Sequence, residues 1–204
     1  MKFRELAVPG AWEITPRRFE DPRGLFLEWF RESAFADAVG QPLRLAQANC
    51  SVSAAGVVRG IHFADVPPSQ AKYVTCLAGA VLDAVVDVRV GSPTFGRWDT
   101  VLLDDADRRA VYLSEGLGHA FMSLQDGSAV AYLCSEEYAP QRERAVHPLD
   151  PGIAVAWPTV SPDGTPLTPR LSDRDAAAPT LAQARDAGIL PAMAAVEDYV
   201  RSLR

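Results

Sequence analysis

Few side chains in this 204-residue chain could move a proton near neutral pH, and several of them fall within short reach of one another in sequence. His62 stands near the end of VVRGIHF (57–63). Imidazole titrates close to neutrality, so it could take a proton from carbon and be reset. A hydrogen-bonded structural histidine is the plainer reading of the same residue. Lys72 follows ten residues later, in PPSQAKYVTC. If it points inward, its charge must be balanced by a ligand or a carboxylate. Such a cation could stabilise an enolate oxygen or clamp a phosphate. Tyr132, in VAYLC, is in phase with Val130 and Cys134. It reads as a core tyrosine with a satisfied hydroxyl or as a general acid. His119 shares a strand face with Phe121 and could donate to a ligand oxygen or serve the core. Arg23 and Arg59 carry the planar fork that suits diphosphate, and each alone also reads as a surface residue. The run LSDRD (171–175) offers two carboxylates, which could cap the following helix or orient a histidine from outside its own strand.

These groups need a rigid frame, and the pattern around them is that of strands. Short runs rich in Val, Ile, Leu and aromatics recur between Gly, Pro, Asp and Ser, as in a sandwich or barrel of many strands. Strands are expected at 24–30, 42–52, 57–63, 72–78, 80–89, 97–103, 110–113, 118–124 and 128–135, with a short helix at 32–39. Gly79 is placed to turn the chain between two of them, and GSPTFG (91–96) is a turn by composition. Helical composition returns at 180–187 and 190–203, where Pro191 is suited to the first turn. In 80–89 one face reads Leu82, Ala84, Val86, Val88 and the other Val81, Asp83, Val85, Asp87, Arg89. Side chains alternate across a strand, so the apolar face is expected against a second sheet. The mixed face is left for solvent or for the polar interior of a small ligand-holding barrel. Strict alternation also puts Arg59 and His62 on opposite faces, so a shared pocket requires a bulge near Gly60.

Composition bounds the function. Hydrophobic residues make up 48% and charged residues 23%, enough for one sizeable core. One domain over 1–204, with a helical tail from about 180, is the simplest division. The net charge of −6 argues against nucleic acid and anionic membrane as partners, although a local basic pocket remains compatible. No leader-like apolar stretch or membrane-length run is read, so a cytoplasmic setting is expected. Cys50, Cys76 and Cys134 are odd in number and widely spaced, and read as inert core thiols. No P-loop, GxGxxG or GxSxG occurs. The His-x-His pair of a metal-binding cupin is missing, because Phe63 and Ala64 follow His62. No metal is expected.

Six blocks together resemble the dTDP-4-dehydrorhamnose 3,5-epimerases: DPRGLFLEWF (21–30), VVRGIHF (57–63), SQAKYVTCLAGAVLDAVVDVRVGSPTFGRWDTVLL (69–103), VYLSEGLGHAFMSLQD (111–126), YLCSEEYAP (132–140) and LSDRDAAAP (171–179). They run in the family's order and cover most of residues 1–180. The resemblance implies a mainly β, cupin-type jelly-roll barrel with short helices, chiefly C-terminal. It also implies a homodimer, no cofactor and a dTDP-4-dehydro-6-deoxyhexose substrate. By that pattern His62 is the base and Asp175 its partner, with Asp173 as the fallback; Lys72 stabilises the enolate and Tyr132 delivers a proton to the opposite face. Phe19, Arg23, Glu28, Gln47, Asn49, Arg59, His119 and Tyr138 resemble the residues that hold sugar, diphosphate and thymine, with Phe19 reaching the partner subunit's ligand. The chain departs from the family at Ala120, where glycine is common, and in the long Pro-rich loop 159–170. Relatives that invert only C3 or only C5, a non-catalytic sugar-nucleotide binder and a metal-dependent cupin are the competing readings.

Overall fold

The computed structural model describes residues 1–203; the last residue of the expected tail lies outside them. The chain begins with β1 (Lys2–Glu5), β2 (Ala11–Thr15) and the hairpin β3 (Arg18–Asp21) and β4 (Gly24–Leu27). After α1 (Glu32–Val39) come β5 (Gln47–Ser53), β6 (Val58–Ala64), β7 (Lys72–Ala78), β8 (Ala80–Val86) and β9 (Trp98–Asp104). Then follow β10 (Ala110–Leu113), β11 (Gly118–Ser123), β12 (Ser128–Cys134), β13 (Glu143–Ala145), α2 (Asp173–Ala176), α3 (Leu181–Asp186) and α4 (Met193–Leu203).

The expected closed jelly-roll barrel is not what forms. The strands build two open antiparallel sheets, a six-stranded one ordered β1-β2-β10-β7-β12-β5 and a five-stranded one ordered β13-β6-β11-β8-β9; β3 and β4 pair only with each other. Each large sheet ends in strands with one neighbour. The sheets face one another through a shared apolar layer. Val74, Cys76, Val111, Leu113 and Val130 come from the first, and Val81, Val85, Val101, Leu103 and Phe121 from the second. An alternating strand pattern is the same for a barrel interior and for a gap between two open sheets, which is why the sequence suggested closure.

Two further expectations are corrected. In β8 the mixed face, with Val81 and Val85, packs toward the opposite sheet, while Val86 and Val88 lie under Phe63, Val146, Ile153, Leu181 and Ala184. Both faces are therefore buried, the outer one by the C-terminal segment. Asp87 is wholly buried and satisfied: it accepts from Arg89 Nε and Nη2 at 2.8 Å each and from the Ser92 and Thr94 hydroxyls at 2.6 Å. Cys76 and Cys134 are core thiols, but Cys50 is exposed, because β5 is an edge strand and residue 50 points outward. The strands β1, β2, β3 and β13 were not read from sequence.

Local signals account for the C-terminal helices. Thr180 and Gln183 form a reciprocal capping box at the start of α3. Pro191 lies two residues ahead of α4, where its carbonyl accepts from Val90 N–H. No helix among the described residues is long and apolar enough to cross a membrane.

Candidate active site

A cleft opens between the two sheets at one end. Its inner part, about 170 Å³, is lined by Ser51, Arg59, His62, Lys72, His119, Phe121, Tyr132 and Asp175. An outer part of about 360 Å³ adds Gln47, Asn49, Gln70, Tyr138 and Glu143, and shares His62, Lys72 and Tyr132 with the inner one. Ser51, Lys72 and Tyr132 come from the six-stranded sheet; Arg59, His62, His119 and Phe121 come from the five-stranded sheet. The two walls therefore carry different chemistry, with imidazole on one and ammonium and phenol on the other.

A bulge puts Arg59 and His62 into the same cleft. His119 pairs with His62 and Phe121 with Arg59, so two steps on β11 oppose three on β6. Gly60 supplies the turn with φ at +127°, and a Cβ there would stand 2.4 Å from the Ala120 methyl and 2.5 Å from the His119 carbonyl oxygen. The extra residue resolves the conflict that strict alternation created.

His62 Nε2 lies 2.7 Å from Asp175 Oδ1. The carboxylate comes from α2, outside the sheets, and it is seated by its own helix cap: the Ser172 hydroxyl accepts from Asp175 N–H at 3.1 Å. The cap is thus Ser172, and Asp175 is free to orient the histidine. Burial alone would raise the Asp175 carboxyl. Its bonds to His62, the Ser172 hydroxyl and the Gly60 N–H outweigh that and hold it below the usual carboxylate range. Asp173 is exposed, and it is Asp175 that meets the histidine.

Lys72 opens β7 and pairs across the strand with Cys134. Among the described residues no carboxylate lies within salt-bridge distance of it. Desolvation pushes its ammonium down, opposed in part by the carboxylates of Glu143 and Asp83. Tyr132 is half-buried, and desolvation raises its phenol, so it stays protonated at neutral pH.

A second histidine is held in the same manner. His119 Nε2 lies 2.7 Å from Asp83 Oδ2, and that carboxylate is completely buried. In the outer cleft, Gln47 Nε2 donates to Asn49 Oδ1 at 2.7 Å and Gln47 Oε1 accepts from Tyr138 N–H at 2.8 Å.

Nine of the expected site residues thus share the cleft: His62, Lys72, Tyr132, Asp175, Gln47, Asn49, Arg59, His119 and Tyr138. Phe19, Arg23 and Glu28 do not. Phe19 and Arg23 belong to the β3–β4 hairpin and its turn; Arg23 is paired with Asp21 at 2.6 Å, and Glu28 lies 4.0 Å from Arg31. Ser51, Gln70, Phe121 and Glu143 line the cleft and were not singled out. Ser51 is two residues beyond Asn49 on the same strand face and Phe121 two beyond His119, so period-2 alternation was the signal available for both.

A paired imidazole facing an ammonium and a phenol across a narrow cleft defines an acid–base enzyme that moves protons on carbon, a carbohydrate epimerase. Residues 5–183 match the family described as dTDP-4-dehydrorhamnose 3,5-epimerase. The chain belongs to that family. It is 60% identical over 204 residues, 100% of this chain and 98% of the relative, to the dTDP-4-dehydrorhamnose 3,5-epimerase of Mycolicibacterium smegmatis. It is also 60% identical, over 95% of this chain and 90% of the relative, to a dTDP-4-dehydrorhamnose 3-epimerase of Streptomyces niveus. Among solved structures, the rmlC epimerase of Mycobacterium tuberculosis superposes with a TM-score of 0.95 at 57% identity, covering 100% of both chains.

Proposed function

We propose that the protein inverts C3 and C5 of dTDP-4-dehydro-6-deoxy-D-glucose to give dTDP-4-dehydro-L-rhamnose, the 3,5-epimerase step of dTDP-L-rhamnose formation. The observation that carries this reading is the opposition of His62 to Lys72 and Tyr132 across the cleft. A C–H beside a ketone is acidic only because an enolate can form. C3 and C5 both flank C4, so one cation at the C4 oxygen serves both centres. Lys72 is that cation, and an oriented charge at the developing oxyanion is a large catalytic contribution. His62, held by Asp175, takes the proton from one face. Tyr132 returns one to the other, and solvent then resets both groups. Loss and return of a proton leave carbon at the same oxidation level, so the step needs no electron carrier.

Arg59 and His119 bind the substrate's oxygens and diphosphate, and Gln47, Asn49 and Tyr138 the outer, nucleoside end. Phe19, Arg23 and Glu28 reach the cleft of a second subunit in a homodimer. The exposed apolar side chains of the hairpin, Phe19, Leu25 and Phe26, support that placement. The 204 residues act as one domain. Three unpaired cysteines suit a reducing, cytoplasmic setting.

The test is incubation with dTDP-4-dehydro-6-deoxyglucose in D₂O, following C3 and C5 by proton NMR. Deuterium is expected at both positions, with the signal lost in His62→Ala. Deuterium at one carbon alone would assign the narrower activity named for the Streptomyces niveus relative. Deuterium at neither would overturn the reading.

A further inference from the structure

A cavity of about 130 Å³ lies behind the catalytic cleft, on the outer face of the six-stranded sheet and under the C-terminal helix. Ala71 lines it, while its neighbours Gln70 and Lys72 line the cleft. Cavity and cleft are thus back to back across one stretch of chain and share no lining residue. The helix α4 forms the roof. Val196 sits on the turn after β10, and Tyr199 and Leu203, three and seven residues further on, share that helix face and line the cavity. The turn admits the helix because residue 116 is glycine: its φ is +80°, and a Cβ there would stand 2.5 Å from Val196 Cγ2. The covered turn carries Glu115, which is only 2% exposed and lines the cavity. Its Oε2 is buried without a hydrogen-bond partner among the described residues. The neighbouring amide of Gln41 donates to the Tyr112 hydroxyl at 2.9 Å. Burial raises the Glu115 carboxyl, and negative charge at Glu136 adds to this; the Glu115 N–H and Gln41 oppose it in part.

We propose that this cavity is a second binding site, for a small primary alkylammonium whose nitrogen meets Glu115 Oε2 and whose tail lies against Leu43, Ala71 and Leu203. A buried carboxylate oxygen with no donor is costly, and a cation carrying N–H bonds relieves that cost. Glu136 lines the same space, so two carboxylates repel an anion from it. Arg44 lines it as well, but it is exposed, and water screens its charge. The rings of Tyr112 and Tyr199 offer faces that attract a cation. The volume has room for about four waters, so it suits a ligand of about five non-hydrogen atoms and excludes a nucleotide. An ammonium is compact enough to leave space for a tail, where a planar guanidinium is not. Among the described residues no group of three or more His, Cys, Asp or Glu side chains is placed to hold a metal ion. The site does not depend on the proposed reaction.

The test uses n-butylammonium chloride, a cation of that size, with the full chain. The sequence has five tyrosines, Tyr73, Tyr112, Tyr132, Tyr138 and Tyr199. Two of them line the cavity and two others, Tyr132 and Tyr138, line the cleft, so ¹³C-labelled tyrosine rings report on both spaces by NMR. The Tyr112 and Tyr199 signals should move and saturate, with a dissociation constant of about 1 mM for so small a ligand, while Tyr132 and Tyr138 stay in place. n-Butanol, the same shape without the charge, should bind at least about tenfold more weakly. Glu115→Gln keeps the side chain's shape and removes its charge, and it should weaken n-butylammonium at least about tenfold without affecting n-butanol. Tyr112 and Tyr199 signals that never saturate would show a cavity filled by water alone and overturn the proposal. So would equal binding of the alcohol, undiminished binding in folded Glu115→Gln, or movement confined to Tyr132 and Tyr138. Should Glu115→Gln not fold, Leu203→Trp, at the end of α4, fills the cavity from its roof; binding should then be lost, and binding retained would overturn the proposal.

Discussion

The choice of side chain at each position in the cleft follows from what the neighbours allow. Asp175 is an anion held well, because its bonds are to groups that favour the charged form. A carboxyl whose folded value is depressed stabilises the fold above its unfolded value and loses that contribution as pH falls through the folded one. The stability difference between the natural protein and Asp175→Asn should therefore be full at pH 7. It should shrink below about pH 4, as urea denaturation at several pH values would register. The same variant should lose about 10²- to 10⁴-fold in kcat, the range typical of a misoriented general base, with KM little changed. Tyr132→Phe separates the two halves of the reaction. It removes the acid and leaves the base, so solvent exchange by His62 should persist while inverted product falls at least about tenfold. Equal loss of exchange and inversion would place Tyr132 elsewhere in the mechanism. At this scale the residue types were informative about identity, and the His62–Asp175 pairing came from the family resemblance rather than from local pattern. His62, Lys72 and Tyr132 were legible as residue types with known acid–base character. That Asp175 rather than Asp173 meets His62 was implied by the resemblance alone, because both lie in one short turn and only its rotation about the helix axis separates them. Asp83 was seen as part of a mixed strand face, but its partner sits on a neighbouring strand 36 residues away, a separation that no local pattern reports.

Two small elements carry the burden of aiming these groups. The bulge in β6 turns both Arg59 and His62 inward, and it depends on Gly60. Gly60→Ala puts a methyl against the Ala120 side chain and the His119 carbonyl at a backbone angle that disfavours any side chain. It should cost more than about 2 kcal/mol in urea unfolding, as overpacking and strain combine. Turnover should fall as well, because His62 can no longer face the cleft in register. The single turn of α2 is the second element. Ser172→Ala removes the hydroxyl that caps it and should cost about 1 kcal/mol. Turnover should drop with it, since the same hydroxyl seats Asp175. The elements themselves were mostly readable: 72–78 and 110–113 coincide with β7 and β10, 57–63, 97–103, 118–124 and 128–135 differ by one residue at their ends, and 24–30 and 80–89 run three residues too long. The need for a bulge near Gly60 was readable too, from the clash between alternation and a shared pocket. What escaped were β1, β2, β3 and β13, short strands of three to five residues whose polar side chains mask their alternation, and the true start of the edge strand, where PLRLA (42–46) has strand composition but pairs only at its last residue.

On the scale of the whole chain, the sequence conveyed alternation but not closure. A strand with one apolar and one mixed face packs equally well around a barrel or across two open sheets, and here the C-terminal segment covers the outer face that a barrel would leave to solvent. The hairpin that holds Phe19 and Arg23 stands away from its own cleft, and its exposed apolar side chains are the feature that the homodimer reading must explain. Sedimentation at micromolar concentration should return about twice the 22.0 kDa of one chain. Replacing Phe26, 66% exposed at the hairpin, with Asp should shift the population toward single chains. A single-chain species in the natural protein would return Phe19, Arg23 and Glu28 to the ordinary surface.

The strand β5 holds Gln47, Asn49 and Ser51 on its inner face and is also the last strand of its sheet, with Cys50 and Val52 turned outward. One row of its backbone donors and acceptors is saturated by β12; the other is left open. The wall of a reaction chamber and the hem of a fabric are here the same seven residues. A hem frays from its free side, so the placement of the nucleoside end of the substrate depends on how firmly an unsewn border is held. Anything that stitches that border would tighten the chamber without touching a single reacting atom.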